Sequence, residues 1–308
     1  RMGAENLVLH HLGKAEDGVE RSAQFVAHLR EDARLRDIGG FGAVTRLELA
    51  LYPAPGAIMA SSYIFPLSEL ETVTTALDTI RKQHDVARVE LLAVLMHHPD
   101  APADAPAEQS KICFFTAFAF EASEQEALQA LAPFAQSELG TKCLVKMEYQ
   151  PFDFAGLYER YFSLRDPAGR CARYAVDNVL TNRGGSTLQA LAQYFLAAPT
   201  RDTHILAAFN MHTRTRPDSC FSWDIDCYLG CYTIWDNETD DERVFAWLDG
   251  TLPLMDPFAE GHYVNEVEGR RHPDRYRLCY SAANWQRLRQ VRQQFDPAGM
   301  FQDYLGSS

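Results

Sequence analysis

Apolar and polar residues alternate in short runs along this chain, and amphipathic stretches of helical period separate them. The first periodic segment spans about Val19 to Leu35, with Val19, Phe25, Val26 and Leu29 on one side, and Gly39–Gly40 end it. Val44, Leu47, Leu49 and Leu51 then mark a strand closed by Pro53 and Pro55. SSYIFPL predicts a second strand, and Ser68 with Glu71 three residues on predicts a capping box opening a helix to about Lys82. The same alternation predicts strands in RVELLAVLMHH, KICFFTAFAF, ARYAVDNVL, HILAAFNMHTR and SWDIDCYLGCYTIW. Helices are predicted from Ser123 through SEQEALQALAPFAQSEL, in STLQALAQYFLAA, after DNETDDE to about Leu252, and in SAANWQRLRQVRQQF.

Several strands are joined by turns too short for parallel crossovers. The expected fold class is therefore α+β, a largely antiparallel sheet with helices packed on one face. No low-complexity linker or short-period repeat is visible, and one main domain over residues 37–308, preceded by a helical segment over 1–36, is the expected organisation.

Composition narrows the function classes. The 29 basic and 42 acidic residues leave a net charge of −13 without a Lys/Arg run, which argues against nucleic acid or an anionic membrane as partner. No apolar window reaches the ~18 residues of a membrane-spanning helix, and the N-terminal residues lack the pattern of a secretory leader. The 7 scattered cysteines read as free thiols in a reducing compartment, so the expected location is the cytoplasm.

Most polar clusters have plain structural readings. Cys227 and Cys231 lie four apart in an alternating segment, roughly 13 Å on a strand, too far to share a metal with bonds of about 2.3 Å. The adjacent His97 and His98 point to opposite faces of a strand, and no metal site is expected. DNETDDE lacks the spacing of a calcium loop and reads as helix capping and dipole compensation. GHYVNEVEG offers more: Tyr263 and Asn265 share one side of an extended segment and Glu266 takes the other. A phenol, an amide and a carboxylate can polarise a carbonyl or move a proton, which makes Tyr263 and Glu266 the candidate catalytic residues.

Three segments, in order, resemble the FAD-linked oxidases of the berberine-bridge-enzyme type. GGFGAVTRLELALYP is similar to their Gly-Gly-x-Phe-Gly-Val-Val-Thr passage from flavin domain to substrate domain. YLGCYTIWDNETDDERVFAWLDGTLPLMDPFAEGHYVNEVEG resembles their strand with Trp, helix with Trp and Tyr-x-Asn-Tyr segment. RLCYSAANWQRLRQVRQQFDPAGMF resembles their terminal signature. The resemblance implies the substrate half of such an oxidase, acting on a small organic alcohol, amine or natural product. FAD is the implied cofactor, with Gly40, Phe41 and Gly42 along its approach and Asn265 and Asn284 near the polar edge of its ring. Tyr149, Tyr174 and Trp223, with Tyr263, are the implied lining of the substrate cavity.

The departures from the family pattern are specific. Residues 1–36 carry neither a Gly-rich phosphate loop nor a flavin-attachment site. Glu266 replaces the second Tyr of Tyr-x-Asn-Tyr, Ser222–Trp223–Asp224 replaces Pro-His-Arg, and Asn210–Met211 replaces a Gly-Gly pair. Two readings stay open. In one, a separate flavin-binding chain or domain completes the oxidase. In the other, the chain is a truncated, cofactor-free homologue that binds a small molecule or performs acid/base chemistry in the old cavity. A third is a purely structural partner that forms a homodimer through the exposed sheet or helices.

Overall fold

The computed structural model describes residues 53–102, 104–157, 173–211 and 220–301. The expected helix over 19–35, the expected strand over 44–51, the boundary at 36 and the residues Gly40, Phe41 and Gly42 lie outside this set. The chain divides into two units: Arg1–Ala54, Arg216–Cys220 and Ala283–Ser308 form one, and Pro55–Thr215 with Phe221–Ala282 the other.

The larger unit is a seven-stranded sheet with strand order β4-β1-β3-β2-β6-β7-β5. The strands are β1 (Ala57–Pro66), β2 (Val89–His97), β3 (Lys111–Glu121), β4 (Val145–Phe152), β5 (Arg173–Thr181), β6 (His204–Phe209) and β7 (Cys227–Trp235). Every pair of neighbours is antiparallel, which bears out the expected fold class. Four helices longer than one turn accompany the strands among the described residues: α1 (Leu70–Gln83), α2 (Glu124–Ala135), α3 (Gly184–Phe195) and α4 (Asp241–Met255).

The order β1-α1-β2-β3-α2 recurs as β5-α3-β6-β7-α4. In each half the hairpin's second strand returns between the first two, β3 between β1 and β2, and β7 between β5 and β6. This is the split β-α-β arrangement, and β2 joins the halves by pairing with β6. No short-period repeat of residues marks this recurrence in the sequence.

One sheet face carries the main core. Tyr63, Phe115, Leu91, Leu95 and Leu229 meet Leu77, Leu131, Phe134, Leu188, Leu191 and Leu248 of the four helices. Each fully buried Leu or Phe side chain is worth about 1.5–3 kcal/mol of transfer free energy. Cys227 and Cys231 lie in this core, fully buried and free, as their alternation predicts. The opposite face presents the even-numbered residues of β5, β6 and β7, and around them a smaller cluster forms from Val176, Leu180, Leu206, Ile225, Tyr228 and Tyr232.

Helix starts follow the sequence unevenly. Ser123 caps α2 as expected, its Oγ accepting the Glu126 N–H at 3.3 Å. The capping box expected at Ser68 does not form; residues 67–69 make a 3₁₀ turn and α1 starts at Leu70 without a side-chain cap. The acidic run before α4 also supplies no side-chain cap. Asp241 instead accepts the Trp235 indole N–H at 2.7 Å and pairs with Arg173 at 2.5 Å, tying the helix to the ends of β5 and β7.

In the smaller unit, helix α5 spans Ala282–Phe295, its first residue belonging to the larger unit. Asp296 closes it by accepting the N–H groups of Met300 (2.7 Å) and Phe301 (3.0 Å), with Gly299 at φ 62° in the turn. This fits the expected stop at DPAGMF.

Candidate functional site

Four segments of the larger unit meet on the face of β5, β6 and β7 opposite helices α1–α4, called the helix-free face for the described residues. The chain after α4 returns past β5, where Gly261 bridges Leu180. It then forms a 3₁₀ turn over Val264–Glu266. The fully buried Asn178 on β5 grips this turn. Its Oδ1 accepts the Tyr263 N–H at 2.7 Å, and its Nδ2 donates to the carbonyls of Tyr263 (2.9 Å) and Glu266 (2.8 Å). All of the amide's main hydrogen-bonding capacity is thus spent on holding two side chains in place.

The 3₁₀ turn corrects the extended geometry expected for GHYVNEVEG. Extended backbone would send Tyr263 and Glu266 to different sides, whereas residues three apart in a 3₁₀ turn lie one above the other. Both now reach Tyr228: the Tyr263 ring stands edge-on to it at 6.2 Å, and the Tyr228 hydroxyl donates to Glu266 Oε2. Asn265 keeps its expected place beside Tyr263, donating Nδ2 to the phenol oxygen at 2.9 Å.

Tyr232 completes the cluster. Its hydroxyl donates to the same Glu266 Oε2 at 3.0 Å and lies 2.9 Å from that of Tyr228. Both tyrosines are mostly buried, and desolvation foremost, with the neighbouring carboxylate adding to it, raises both phenols above their ordinary range. They therefore stay protonated at neutral pH and act as donors, which leaves Glu266 as the proton acceptor among the three. His204 stacks on Tyr232 with ring centroids 4.8 Å apart and planes within 7°.

The strand sequence Tyr228-Leu-Gly-Cys-Tyr232 explains how two phenols share one carboxylate oxygen. Residues 228, 230 and 232 point to one face, and at 230 a glycine leaves the space over which the hydroxyls meet. A Cβ there would lie 2.4 Å from the Tyr228 hydroxyl and 2.8 Å from Tyr232 Cε2. Two tyrosines flanking a glycine at alternate strand positions are the sequence signal for these residues, which sequence reasoning did not assign to the site.

Behind the turn lies a buried polar anchor. The Arg275 guanidinium pairs with Asp177 at 2.8 Å and Asp256 at 2.9 Å. Asp177 accepts the N–H groups of Asn178 (2.7 Å) and Glu268 (3.4 Å). His262 Nδ1 lies 2.6 Å from the Asn178 carbonyl, to which its N–H donates. Burial, with the Arg275 charge beside it, holds the His262 imidazole below its ordinary range. These groups clamp both ends of the Tyr263–Glu266 turn to β5.

The other expected site residues divide. Trp223 packs against the same cluster, its indole N–H donating to the Cys279 carbonyl at 2.9 Å. Tyr174 is 54% exposed with its ring 6.3 Å from that of Tyr232. Asn284 belongs to the smaller unit, where it donates to the Cys220 carbonyl at 3.1 Å. Tyr149 does not join the others. It lies on β4, six strand spacings from β5, or roughly 29 Å, and it packs on the helix-side core. The register shift between Ala60 and Ser62 puts an extra residue into β4, and Tyr149 occupies it with φ 55°. Such a bulge reverses the side a residue faces.

Among the described residues no group of three His, Cys, Asp or Glu side chains could hold a metal ion. His97 and His98 are engaged locally, His97 Nδ1 with the His98 carbonyl and His98 Nδ1 with the Asp100 N–H. No described helix is long and apolar enough to cross a membrane.

No family model and no curated protein sequence matches the chain. Solved structures do. Berberine bridge enzyme from Eschscholzia californica superposes with a TM-score of 0.65 at 14% identity, over 87% of this chain and 58% of that one. GilR, an oxidoreductase that catalyses the terminal step of gilvocarcin biosynthesis, gives 0.63 at 17%, over 82% and 56%. Xylooligosaccharide oxidase from Myceliophthora thermophila C1 gives 0.57 at 15%, over 83% and 56%. This chain therefore has the α+β fold of berberine-bridge-enzyme-like FAD-linked oxidases and spans 56–58% of the length of these three.

Proposed function

We propose that this chain forms the substrate half of an oxidoreductase of the FAD-linked type, in which Glu266 accepts a proton from a small organic alcohol, amine or natural product bound against the helix-free sheet face. The observation that carries this reading is the convergence of Tyr228 and Tyr232 on Glu266 Oε2, with the turn fixed by Asn178. Two phenol donors on one oxygen orient the carboxylate. Tyr263, with Asn265 donating to its oxygen, is placed to bond the reacting oxygen or nitrogen; Trp223 and Tyr174 flank the position.

The described residues do not by themselves make a flavin seat. The strand positions of the helix-free face contain no lysine or arginine for a pyrophosphate, and the Asn265 amide is engaged with Tyr263. The flavin-binding part is accordingly assigned to polypeptide beyond the described residues or to a partner chain, and no step is drawn through the flavin. A second reading has its own support, because Glu266 under two phenol donors can take up and return a proton without a flavin. On that reading the chain performs a cofactor-free elimination, isomerisation or cyclisation.

Absorbance spectra of the purified protein, taken alone and after FAD addition and desalting, test the first. A retained visible flavin band supports the oxidase reading with the flavin held by this chain; no band in either sample overturns that arrangement and leaves a flavin held by a partner chain or the cofactor-free reading. Under both, Glu266→Gln is expected to lower turnover by about 10²–10⁴-fold, the range of a lost general base. Unchanged turnover in that variant removes Glu266 from the chemistry.

A further inference from the structure

A cleft with a volume of about 710 Å³ lies along the edge of β5, with Tyr174 and Asn265 of the candidate site in its lining. That is within the ordinary size of a small-molecule site, roughly 300–1,000 Å³. Its walls are aromatic and its rim is cationic: Tyr174, Trp235, Phe245 and Tyr276 line it together with Arg173 and Arg270. Cationic side chains so gathered stand out on a chain of net charge −13.

The charges are unequally spent. Arg271, also in the lining, pairs with Asp249 and lies 4.7 Å from the centre of the Phe245 ring. Arg173 pairs with Asp241 and lies 5.9 Å from the Trp235 ring. Its Nε is buried and has no hydrogen-bond partner among the described residues. Arg270 forms no ion pair or side-chain hydrogen bond among the described residues, and Glu268 is the acid in the lining. Tyr276 packs directly over Gly269, where a Cβ would lie 1.9 Å from Tyr276 Cζ. Glycine at this position lets the Tyr276 ring lie flat against the backbone. Planar guanidinium groups stacked on rings beside unspent donors recognise a planar group and a carboxylate together.

We propose that this cleft binds an aromatic carboxylate, its ring between the aromatic side chains and its carboxylate on Arg270. Such binding is independent of the oxidase reading, because it requires neither flavin nor turnover. Isothermal titration of the full chain with 1-naphthoate and with its neutral isostere 1-naphthamide tests it. Naphthoate is expected to bind one per chain and about tenfold or more tighter than the amide, the ratio for one charge-assisted hydrogen bond. Arg270→Gln, an exposed position whose change leaves the fold intact, is expected to abolish that preference. Equal affinity for acid and amide, no saturable naphthoate binding, or an unaltered preference in Arg270→Gln overturns the proposal.

Discussion

Gly230→Ala is the most direct probe of the tyrosine–carboxylate cluster, because it adds one methyl group and removes no hydrogen-bonding atom. The new Cβ would lie 2.4 Å from the Tyr228 hydroxyl, so that hydroxyl must move by roughly 1 Å to reach ordinary contact. It cannot do so and keep both the 2.9 Å contact to Tyr232 and its bond to Glu266. Overpacking of this kind costs about 1–3 kcal/mol, and a lost hydrogen bond to a carboxylate about 1.5–3 kcal/mol. Partial relaxation makes the sum smaller than its parts, and the expected loss is about 2–4 kcal/mol. Urea unfolding followed by tryptophan fluorescence measures it as a shift in midpoint at constant slope. The stronger test combines the change with Tyr228→Phe. Removing the hydroxyl removes the worst clash and leaves Tyr232 Cε2 at 2.8 Å and Tyr228 Cζ at 3.0 Å. Gly230→Ala should therefore cost less in that background, with a coupling of at least about 1 kcal/mol. A cost under about 0.5 kcal/mol for Gly230→Ala alone, or strict additivity of the two changes, refutes this packing of the two phenols over the glycine.

Two further outcomes follow from the anchor behind the site. Arg275→Met leaves the Asp177 carboxylate, 1% exposed, without its cation, and should cost about 3–5 kcal/mol; adding Asp177→Asn should recover part of this in urea unfolding, and no recovery would separate the two residues energetically. His262 is held below its ordinary range by burial and by Arg275, so the unfolded chain takes up a proton near pH 6.5 that the folded chain refuses. Its contribution to stability is present above that pH and is lost as pH falls, with a slope up to about 1.4 kcal/mol per pH unit. Unfolding midpoints measured between pH 7.5 and pH 5.5 should therefore fall on acidification, and His262→Asn should flatten the dependence.

Local pattern alone marked the four main helices and the strands of the sheet other than β4, which it left unassigned. Alternation marks β2, β3, β5 and β7 because a strand's side chains change face at every residue, and the helical period marks α1, α3 and α4 because each buries a single stripe. The resemblance carried by the glycine-rich passage, the Tyr263–Glu266 segment and the terminal signature likewise pointed to the fold that the solved structures share. The site is different, since it joins residues 178, 228, 232, 263 and 266, which no local period relates. Strand order decides that β7 lies beside β5, and the grip of Asn178 turns an apparently extended segment into a 3₁₀ turn that places Tyr263 and Glu266 over one phenol. Tyr149 shows the converse. Simple alternation along β4 would put it with Val145 and Met147, but one extra residue at a positive φ turns it to the helix side. A bulge is a property of two strands in register, and such a property is written in neither strand alone.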